Sequence, residues 1–362
     1  MNKLHKKYLL LAHTQARKQF GKTFPNPSVG CVLVKNNKIL AMSSTGINGR
    51  PHAEEKVLKK AGKKSIGSTM YVTLEPCYHN STFGSCAKQI IKSKINNIFI
   101  SKIDPDPRTN KKSIKLFEKN LIKTNVGLTS EKSNQLNNFY FISTQLNRPY
   151  IKVKMAISND EKIAWPDYSS KWISNIKSRE YAHKIRFQSQ AILTTSKTII
   201  KDNPRFTVRK KNKIIKYSPV IIIDKSLKIP LNCNILKNIS KRRIIIFTSI
   251  SGKKFIKLKS LGCEMFLTKK LKSCGEFNLS LIMKKILSLN INNILVETGG
   301  IFFSKLLSRK LIDEIHVFRA PFDIGESGKP MIINKKIENL PLKKITKKNF
   351  GKDVYHYFLI KK

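Results

Sequence analysis

The sequence predicts an α/β protein of two domains that meet near residue 147. The chain has 362 residues, a length that suits two ordinary domains, each able to bury its own core. Both halves alternate short apolar runs with helical stretches, a pattern typical of strands and helices packed in layers. Residues 145–150 between them read as a short linker. We therefore place one domain at residues 1–146 and the other at 147–362.

The first domain is predicted to open with an amphipathic helix. Residues 1–12 are similar to a signal peptide, but the apolar run ends at once in polar and basic residues. Buried strands are predicted from the apolar runs at residues 29–34, 70–74 and 97–100, and a closing helix at 130–143. No apolar stretch is long enough to span a bilayer, so a membrane partner is not expected.

A candidate zinc site comes from His52, Cys77 and Cys86, which are ligand types that zinc prefers. Such a site, with one imidazole and two thiolates, leaves a fourth position where water can be activated near neutral pH. Glu54 follows His52 by two positions, so on a helix it points away from the imidazole and can move protons instead. These are the parts of a hydrolytic zinc deaminase that replaces an exocyclic amine by oxygen.

The surrounding sequence predicts how these residues are placed. Pro51 fits the first turn of a helix that continues to Ala61 and stops at Gly62. Cys77 follows the strand at 70–74, and we expect it where the next helix begins, a position that makes a thiol more acidic.

Two other hypotheses are a deaminase that acts on nucleic acid, which the spacing of the thiols does not favour, and a non-catalytic scaffold stabilised by zinc. Deaminases of nucleic acids and nucleosides usually present Pro-Cys-x-x-Cys, whereas eight residues separate Cys77 from Cys86 here. The gap contains His79, which is the less favoured ligand. If His79 were a fourth ligand, a non-catalytic, zinc-stabilised scaffold would be favoured, because structural zinc sites usually have four protein ligands.

The net charge of +49 does not by itself indicate a nucleic-acid partner. The chain has 59 lysines and 12 arginines, and they are spread along its whole length without a stripe or an arginine cluster. This is the pattern of a compositional bias, so no specific nucleic-acid partner is expected. The six cysteines lack the regular spacing of a disulfide framework, which favours reduced thiols and a cytoplasmic location.

The second domain is predicted to contain a mostly parallel sheet. Buried strands are expected at residues 190–194, 220–224, 243–247 and 294–297, separated by helices. Ligands of such sheets bind at the carboxyl ends of the strands. The last of these strands runs into Gly299-Gly300 and a helix, where backbone and helix N-terminus suit a phosphate. A dinucleotide pyrophosphate would fit this turn.

Longer motifs extend these observations over nearly the whole chain. They are residues 24–31, 71–77 and 104–107 in the first half, and Asp160, 172–174, 186–189, 191–194, 202–209, 296–300, 313–314 and 320–321 in the second. In this order they resemble the bifunctional deaminase and reductase family of riboflavin biosynthesis. The resemblance implies a cytidine-deaminase-like three-layer sandwich followed by a dihydrofolate-reductase-like domain that uses NADPH.

The resemblance also implies a small-molecule substrate and its contacts. The substrate would be 2,5-diamino-6-(5-phosphoribosylamino)pyrimidin-4-one, deaminated first and then reduced from the ribosyl to the ribityl form. NADPH would be held by Ala156, Trp172, Thr198, Asp202, Gly299 and Gly300. The phosphosugar would be held by Ser170, Arg186, Phe206, Arg209 and Glu297. Arginine binds phosphate with a planar fork, so Arg186 and Arg209 are informative in a lysine-rich chain.

This chain departs from the family pattern at several positions. Residues 81–85 stand where the family typically has Gly-Arg-Thr-Pro-Pro, and Ser44-Thr45 stand in place of a histidine. A glycine-rich stretch is replaced by residues 109–113, and the usual Leu-Asp-Gly by 159–161. A reductase with a decayed zinc domain therefore stays open as an alternative. The sequence leaves the oligomeric state open, a homo-oligomer included.

Overall fold

The computed structural model describes residues 2–79, 84–167, 169, 173–271 and 273–360. The chain divides into two compact units, Met1–Asn147 and Arg148–Lys362. Each unit has its own sheet and its own apolar core. No helix in these described ranges combines the length and the apolar character needed to cross a membrane.

The first unit is a sheet with helices on both faces. Its strands are β1 (Gly30–Lys35), β2 (Lys38–Ser44), β3 (Thr69–Val72), β4 (Asn97–Ile100) and β5 (Lys123–Val126). Its helices are α1 (Asn2–Gln19), α2 (Ala53–Ala61), α3 (Cys86–Lys92), α4 (Lys112–Lys119) and α5 (Ser130–Leu146). The strand order is β2-β1-β3-β4-β5, with β3, β4 and β5 parallel and β1 antiparallel to both of its neighbours.

Side chains alternate along β1, and this alternation builds the three layers. Val32 and Val34 face Tyr8 and Leu9 of α1, whereas Cys31 and Leu33 belong to the core that includes α2 and α3. The predicted opening helix, the three strands and the closing helix are therefore confirmed. The pattern of burial matches the three-layer sandwich expected from the sequence.

The second unit is larger and has a mostly parallel sheet. Its strands are β6 (Tyr150–Ile157), β7 (Lys162–Ala164), β8 (Ala191–Thr195), β9 (Thr207–Lys210), β10 (Lys213–Tyr217), β11 (Val220–Ile223), β12 (Ile244–Thr248), β13 (Glu264–Leu267), β14 (Asn293–Val296), β15 (Glu314–Arg319), β16 (Lys329–Pro330), β17 (Leu342–Phe350) and β18 (Asp353–Ile360). Its helices are α6 (Ile176–Phe187), α7 (Ser196–Asp202), α8 (Lys253–Ser260), α9 (Leu279–Ser288) and α10 (Gly300–Ser308).

The strand order of its main sheet is β13-β12-β11-β8-β14-β6-β15-β18-β17. Neighbours from β13 to β15 are parallel, and β18 and β17 close the sheet as an antiparallel hairpin. Helices α9 and α10 cover one face, and α6, α7 and α8 cover the other. The strands predicted from apolar runs are all present, but the sequence reading gave no indication of the β17–β18 hairpin, where β17 is rich in lysine.

A buried ion pair links the first residue of the second unit to Asp313, the residue that precedes β15. Arg148 donates from its two terminal nitrogens to the Asp313 carboxylate at 2.7 and 2.8 Å. The same carboxylate accepts the backbone N–H of Ile151 at 2.8 Å. The Asp313 side chain is 1% exposed and that of Arg148 10%, so both charges are satisfied away from water.

A second buried carboxylate, Glu314, lies at the centre of a polar cluster on β15. It accepts hydrogen bonds from Tyr150 at 2.7 Å and Tyr357 at 3.1 Å, and contacts His316 at 2.8 Å. Burial alone would raise the pKa of Glu314. The positive charge of Lys152 and the contact with His316 outweigh burial and lower the pKa to about 2. The folded protein therefore stabilises the ionised form.

Removing the Asp313 carboxylate should strongly destabilise the protein. Asp313→Ala leaves Arg148 buried without a counter-charge, and we expect a loss of about 3–5 kcal/mol in the free energy of unfolding. The control is Glu264→Ala, which removes the half-exposed partner of Arg243 and should cost less than about 1 kcal/mol. Chemical denaturation measures both variants, and equal losses would contradict the account.

Glu314 should make stability depend on acid pH. Because its pKa is lower in the folded protein than the unfolded value of about 4.3, its contribution is complete above that value and is lost as the pH falls toward 2. The loss is on the order of 3 kcal/mol. Chemical denaturation between pH 5 and pH 2 gives the free energy of unfolding at each pH. This free energy should fall less steeply with decreasing pH for Glu314→Gln than for wild type, and identical pH dependences would contradict the prediction.

Candidate active sites

His52 is placed by the start of α2. It is the N-cap residue with an extended backbone (φ −68°, ψ 160°), and its N–H donates to the Glu55 carboxylate at 2.9 Å. Arg50 holds that carboxylate from the other side at 3.2 Å. Gly62 ends the helix as predicted, but Pro51 precedes the N-cap and does not lie in the first turn. From this position the imidazole lies beside the two thiols.

Cys77 and Cys86 are held together at the start of α3. Cys86 is the first residue of the helix, and its N–H donates to the Cys77 sulfur at 3.4 Å. The Cys77 carbonyl accepts the hydroxyl of Ser85 at 3.0 Å and the N–H of Ala87 at 3.1 Å. The expectation that Cys77 begins a helix was wrong, because Cys77 lies in a loop and the next helix begins at Cys86. Its sulfur still accepts an N–H from a helix N-terminus. A hydrogen bond from the Cys86 thiol is the largest cause that lowers the pKa of Cys77, and a hydrogen bond from His52 lowers it further.

The geometry of the three ligand atoms fits a zinc ion. They lie within 4.8 Å of one another in the described part of the chain. His52 Nδ1 is 3.3 Å from the Cys86 sulfur and 3.6 Å from the Cys77 sulfur. Two ligands of tetrahedral zinc, a nitrogen at about 2.1 Å and a sulfur at about 2.3 Å, are about 3.6 Å apart. The His-Cys-Cys set is therefore intact and has the spacing of a metal centre with a fourth position for water.

Glu54 lies beside these ligands without being one of them. Its side chain is buried in the first turn of α2, and burial raises the pKa of its carboxyl to about 7. A carboxyl with a pKa near the working pH can both accept and release a proton. Burial, with the Glu54 charge as a second cause, also raises the pKa of the Cys31 thiol, which therefore stays protonated.

His79 has a different partner from the zinc ligands. Its Nδ1 contacts the hydroxyl of Thr109 at 3.3 Å, and it is not part of the ligand cluster found among the described residues. The open fourth position speaks against a purely structural zinc site. Residues 81–83 of the altered loop lie outside the described residues.

Glu75 supports the loop that carries Cys77. Its buried carboxylate accepts the N–H groups of Asp104, Lys111 and Ser113 at 3.1–3.2 Å. Lys111 has a left-handed backbone with φ 58°, a conformation that glycine adopts without a steric penalty. The replaced glycine-rich stretch thus keeps its turn, and the hydrogen bonds of Glu75 hold it.

In the second unit, several predicted site residues lie at or just after the carboxyl ends of β6, β8 and β14. The Glu297 N–H donates to the Leu193 carbonyl at 3.0 Å, and the Thr194 hydroxyl donates to the Glu297 carbonyl at 2.8 Å. These bonds join the ends of β8 and β14. Ala156 lies near the end of β6, Thr198 in the first turn of α7, and Asp202 at the end of that helix. Ser170 and Trp172 lie outside the described residues.

Gly299 and Gly300 have different reasons to be glycine. A Cβ on Gly300 would lie 2.3 Å from the Pro330 carbonyl oxygen, so the helix α10 can pack there only through a glycine. Gly299 is the N-cap of α10, and a Cβ there would meet nothing within 4 Å in the described part of the chain. The neighbouring Thr298 hydroxyl is buried and has no partner in that part. Open space, an unpaired hydroxyl and a helix N-terminus together fit a cofactor phosphate.

Arg186 and Glu297, which are 111 positions apart in the sequence, form a bidentate ion pair. Arg186 Nε and Nη2 donate to the two carboxylate oxygens at 2.5 and 2.8 Å. Arg186 Nη1 donates to the Thr207 carbonyl at 3.2 Å. Burial would raise the pKa of Glu297, but Arg186 lowers it, so the carboxylate stays ionised. Arg186 is thus engaged with groups of the protein itself.

Arg209 lies on β9 next to this pair. Its Nε donates to the Thr207 hydroxyl at 3.2 Å, and its backbone N–H donates to His183 Nδ1 at 3.2 Å. Phe206 is close to Arg186, whose guanidinium carbon is 5.9 Å from the ring centroid. Arg186, Phe206, Arg209 and Glu297 therefore lie in one region.

Lys154 of β6 is a residue of this region that the sequence reading did not single out. Burial lowers the pKa of its ammonium, although the negative charge of Glu297 acts in the opposite direction. A signal was present in the sequence, since lysines at 152 and 154 alternate with apolar residues in a strand whose other face is buried.

Comparisons with known proteins identify the family of each unit. Residues 2–102 match the cytidine and deoxycytidylate deaminase zinc-binding region, and residues 149–355 match the RibD C-terminal domain. The riboflavin biosynthesis protein RibD of Aquifex aeolicus is 36% identical over 361 residues, which are 99% of each chain.

Solved structures give the same result over the full length. RibD of Acinetobacter baumannii superposes with a TM-score of 0.90 at 26% identity and covers 100% of each chain. A diaminohydroxyphosphoribosylaminopyrimidine deaminase and 5-amino-6-(5-phosphoribosylamino)uracil reductase of Thermotoga maritima superposes with a TM-score of 0.87 at 26% identity and 99% coverage of each chain. The predicted fold class, a cytidine-deaminase-like unit followed by a dihydrofolate-reductase-like unit, is confirmed.

The predicted activities and cofactors are confirmed as well. The protein is an aminohydrolase that uses zinc and a reductase that uses NADPH, and it acts on a small pyrimidine. The intact His-Cys-Cys cluster argues against a decayed zinc domain, and the reductase match argues against a nucleic-acid deaminase. The chain belongs to the RibD family of bifunctional deaminase and reductase enzymes of riboflavin biosynthesis.

Proposed function

We propose that the first unit deaminates 2,5-diamino-6-(5-phosphoribosylamino)pyrimidin-4-one and that the second unit then reduces the ribosyl chain of the product to ribityl. The final product is 5-amino-6-(5-phosphoribitylamino)uracil. The observation that carries the first step is the pairing of three convergent zinc ligands with the buried carboxyl of Glu54, whose pKa is raised to about 7.

In the deamination, His52, Cys77 and Cys86 hold the zinc ion. When bound, zinc supplies Lewis-acid activation of a water molecule near neutral pH. Glu54 accepts a first proton from the attacking water and delivers it to the ring nitrogen. It then accepts the second proton of the same water and delivers it to the leaving amino group, which departs as ammonia. Because Glu54 is buried, its proton is not lost to bulk solvent between these steps.

In the reduction, the second unit positions two ligands at the carboxyl edge of its sheet. Ala156, Thr198, Asp202, Gly299 and Gly300 hold NADPH together with Trp172, and the cofactor supplies the hydride. Arg209 binds the phosphate, and Glu297 holds the sugar in an orientation fixed by Arg186. Ser170 and Phe206 complete the contacts with the phosphosugar. The protein contributes mainly alignment of the sugar carbon with the cofactor.

Glu54→Gln tests the proton-transfer role. The amide cannot accept a proton, so the deamination rate should fall at least about 10²-fold. Zinc content by mass spectrometry and the reductase rate should not change. The matched control is Glu118→Gln, an exposed glutamate on α4. A variant that binds zinc and retains more than about a tenth of the rate would exclude Glu54 as the proton carrier.

Arg209→Met tests the phosphate contact in the reductase. Loss of a charged hydrogen bond should raise the KM of the phosphorylated substrate about 10- to 100-fold. The KM of the same substrate without its phosphate should stay unchanged, so the preference for phosphate disappears. The control is Lys210→Met, which removes an exposed charge from the next position of β9. If Arg209→Met retains the full preference for phosphate, the phosphate ligand lies elsewhere.

A further inference from the structure

Arg242 lies outside the two sites described above. Its guanidinium contacts the backbone of the loop at residues 203–207, which leads into β9. Arg242 is 7% exposed. Its Nη2 donates to the Arg205 carbonyl at 2.8 Å, and its Nη1 donates to the Phe206 carbonyl at 3.2 Å. Its Nε is buried and has no partner in the described part of the chain. Because a buried guanidinium is unfavourable unless it is well paired, these two carbonyls account for its position.

The loop that Arg242 contacts has an unusual backbone. Phe206 has φ 46° and Asn203 has φ 38°, in the left-handed region that bulky residues rarely adopt. The Phe206 ring is 4% exposed and packs with Ile199 and Leu227 in an aliphatic cluster. Such a conformation persists only where the surrounding contacts enforce it.

Arg186 also holds this loop, from the side of the proposed substrate site. Its Nη1 donates to the Thr207 carbonyl at 3.2 Å, so the carbonyls of residues 205, 206 and 207 all accept from arginine. The Arg242 guanidinium carbon also lies 5.7 Å from the centroid of the Tyr217 ring. Tyr217 is the partner of Thr207 in the β9–β10 hairpin. The contact of Arg242 with the Tyr217 ring, the hydrogen bonds from the two arginines and the pairing of β9 with β10 therefore fix the loop where it enters β9.

We propose that Arg242 is a positioning residue of the reductase, which fixes residues 203–207 and thereby the direction in which β9 presents Arg209 to the phosphosugar. This inference rests on the substrate site proposed above, and Arg242 acts through the loop without contacting the substrate. A lysine is a poor substitute, because its ammonium lacks the planar fork that reaches two carbonyls at once. The presence of an arginine here, in a chain with 59 lysines and 12 arginines, agrees with this requirement.

The test compares Arg242→Met and Arg242→Lys with Arg243→Met as the matched control. Arg243 is the next residue, but its side chain is 42% exposed and pairs with Glu264 at 2.7 Å. The assay follows NADPH oxidation by the full-length, zinc-loaded enzyme with 5-amino-6-(5-phosphoribosylamino)uracil. Three further readouts are the Kd of NADPH, the deamination rate and the thermal midpoint of unfolding.

We expect Arg242→Met to lower kcat/KM about 10²-fold, mainly through a higher KM. Arg242→Lys should lie between this variant and wild type, and Arg243→Met should equal wild type. The deamination rate and the Kd of NADPH should stay within about twofold of wild type in all three variants.

Several results would overturn the positioning role. They are a wild-type KM in Arg242→Met, or a parallel loss of NADPH binding and thermal stability that marks a merely structural residue. If Arg242→Met does not fold, a wild-type KM in Arg242→Lys overturns it instead. Arg209→Met separates the two proposals: an impaired Arg209→Met beside a normal Arg242→Met removes only the positioning role, whereas a normal Arg209→Met removes the substrate site on which it rests.

Discussion

Backbone hydrogen bonds at the junction of a buried strand and the following helix are the constraint on which both sites depend. Cys77 follows β3, and its sulfur and carbonyl accept N–H groups from the first turn of α3. Glu297 follows β14, and its own N–H pairs with the carbonyl of Leu193 on β8. In both units the sheet is rigid because it is buried, so the residues that leave it start from fixed positions.

Electrostatics then sets the state of each group. In the first unit, burial raises the pKa of Glu54 beside the zinc ligands although the charge of His52 acts against it. In the second unit, Arg186 lowers the pKa of Glu297 although burial acts against it. The two buried carboxyls thus differ because burial dominates at Glu54 and the bidentate ion pair with Arg186 dominates at Glu297. This difference suits proton transfer in one site and fixed orientation of a ligand in the other.

Much of this arrangement could be predicted from the sequence, because local patterns carry it. The apolar runs located the strands that position both sites, and the types of His52, Cys77, Cys86 and Glu54 identified the zinc chemistry. Contacts between distant residues could not be predicted. The Arg186–Glu297 pair, for example, joins two residues that are 111 positions apart in the sequence. The position of Cys77 in a loop and the support from Arg242 likewise depend on tertiary contacts that leave little local signal.

The most direct test of the account is the mass of the products formed by the full-length, zinc-loaded protein from 2,5-diamino-6-(5-phosphoribosylamino)pyrimidin-4-one, with and without NADPH. We expect replacement of an amine by oxygen in both samples and added hydrogen only when NADPH is present. Reduction of a separately supplied deaminated substrate without any deamination would contradict it, because the ligand cluster and Glu54 would then be in place without performing their chemistry.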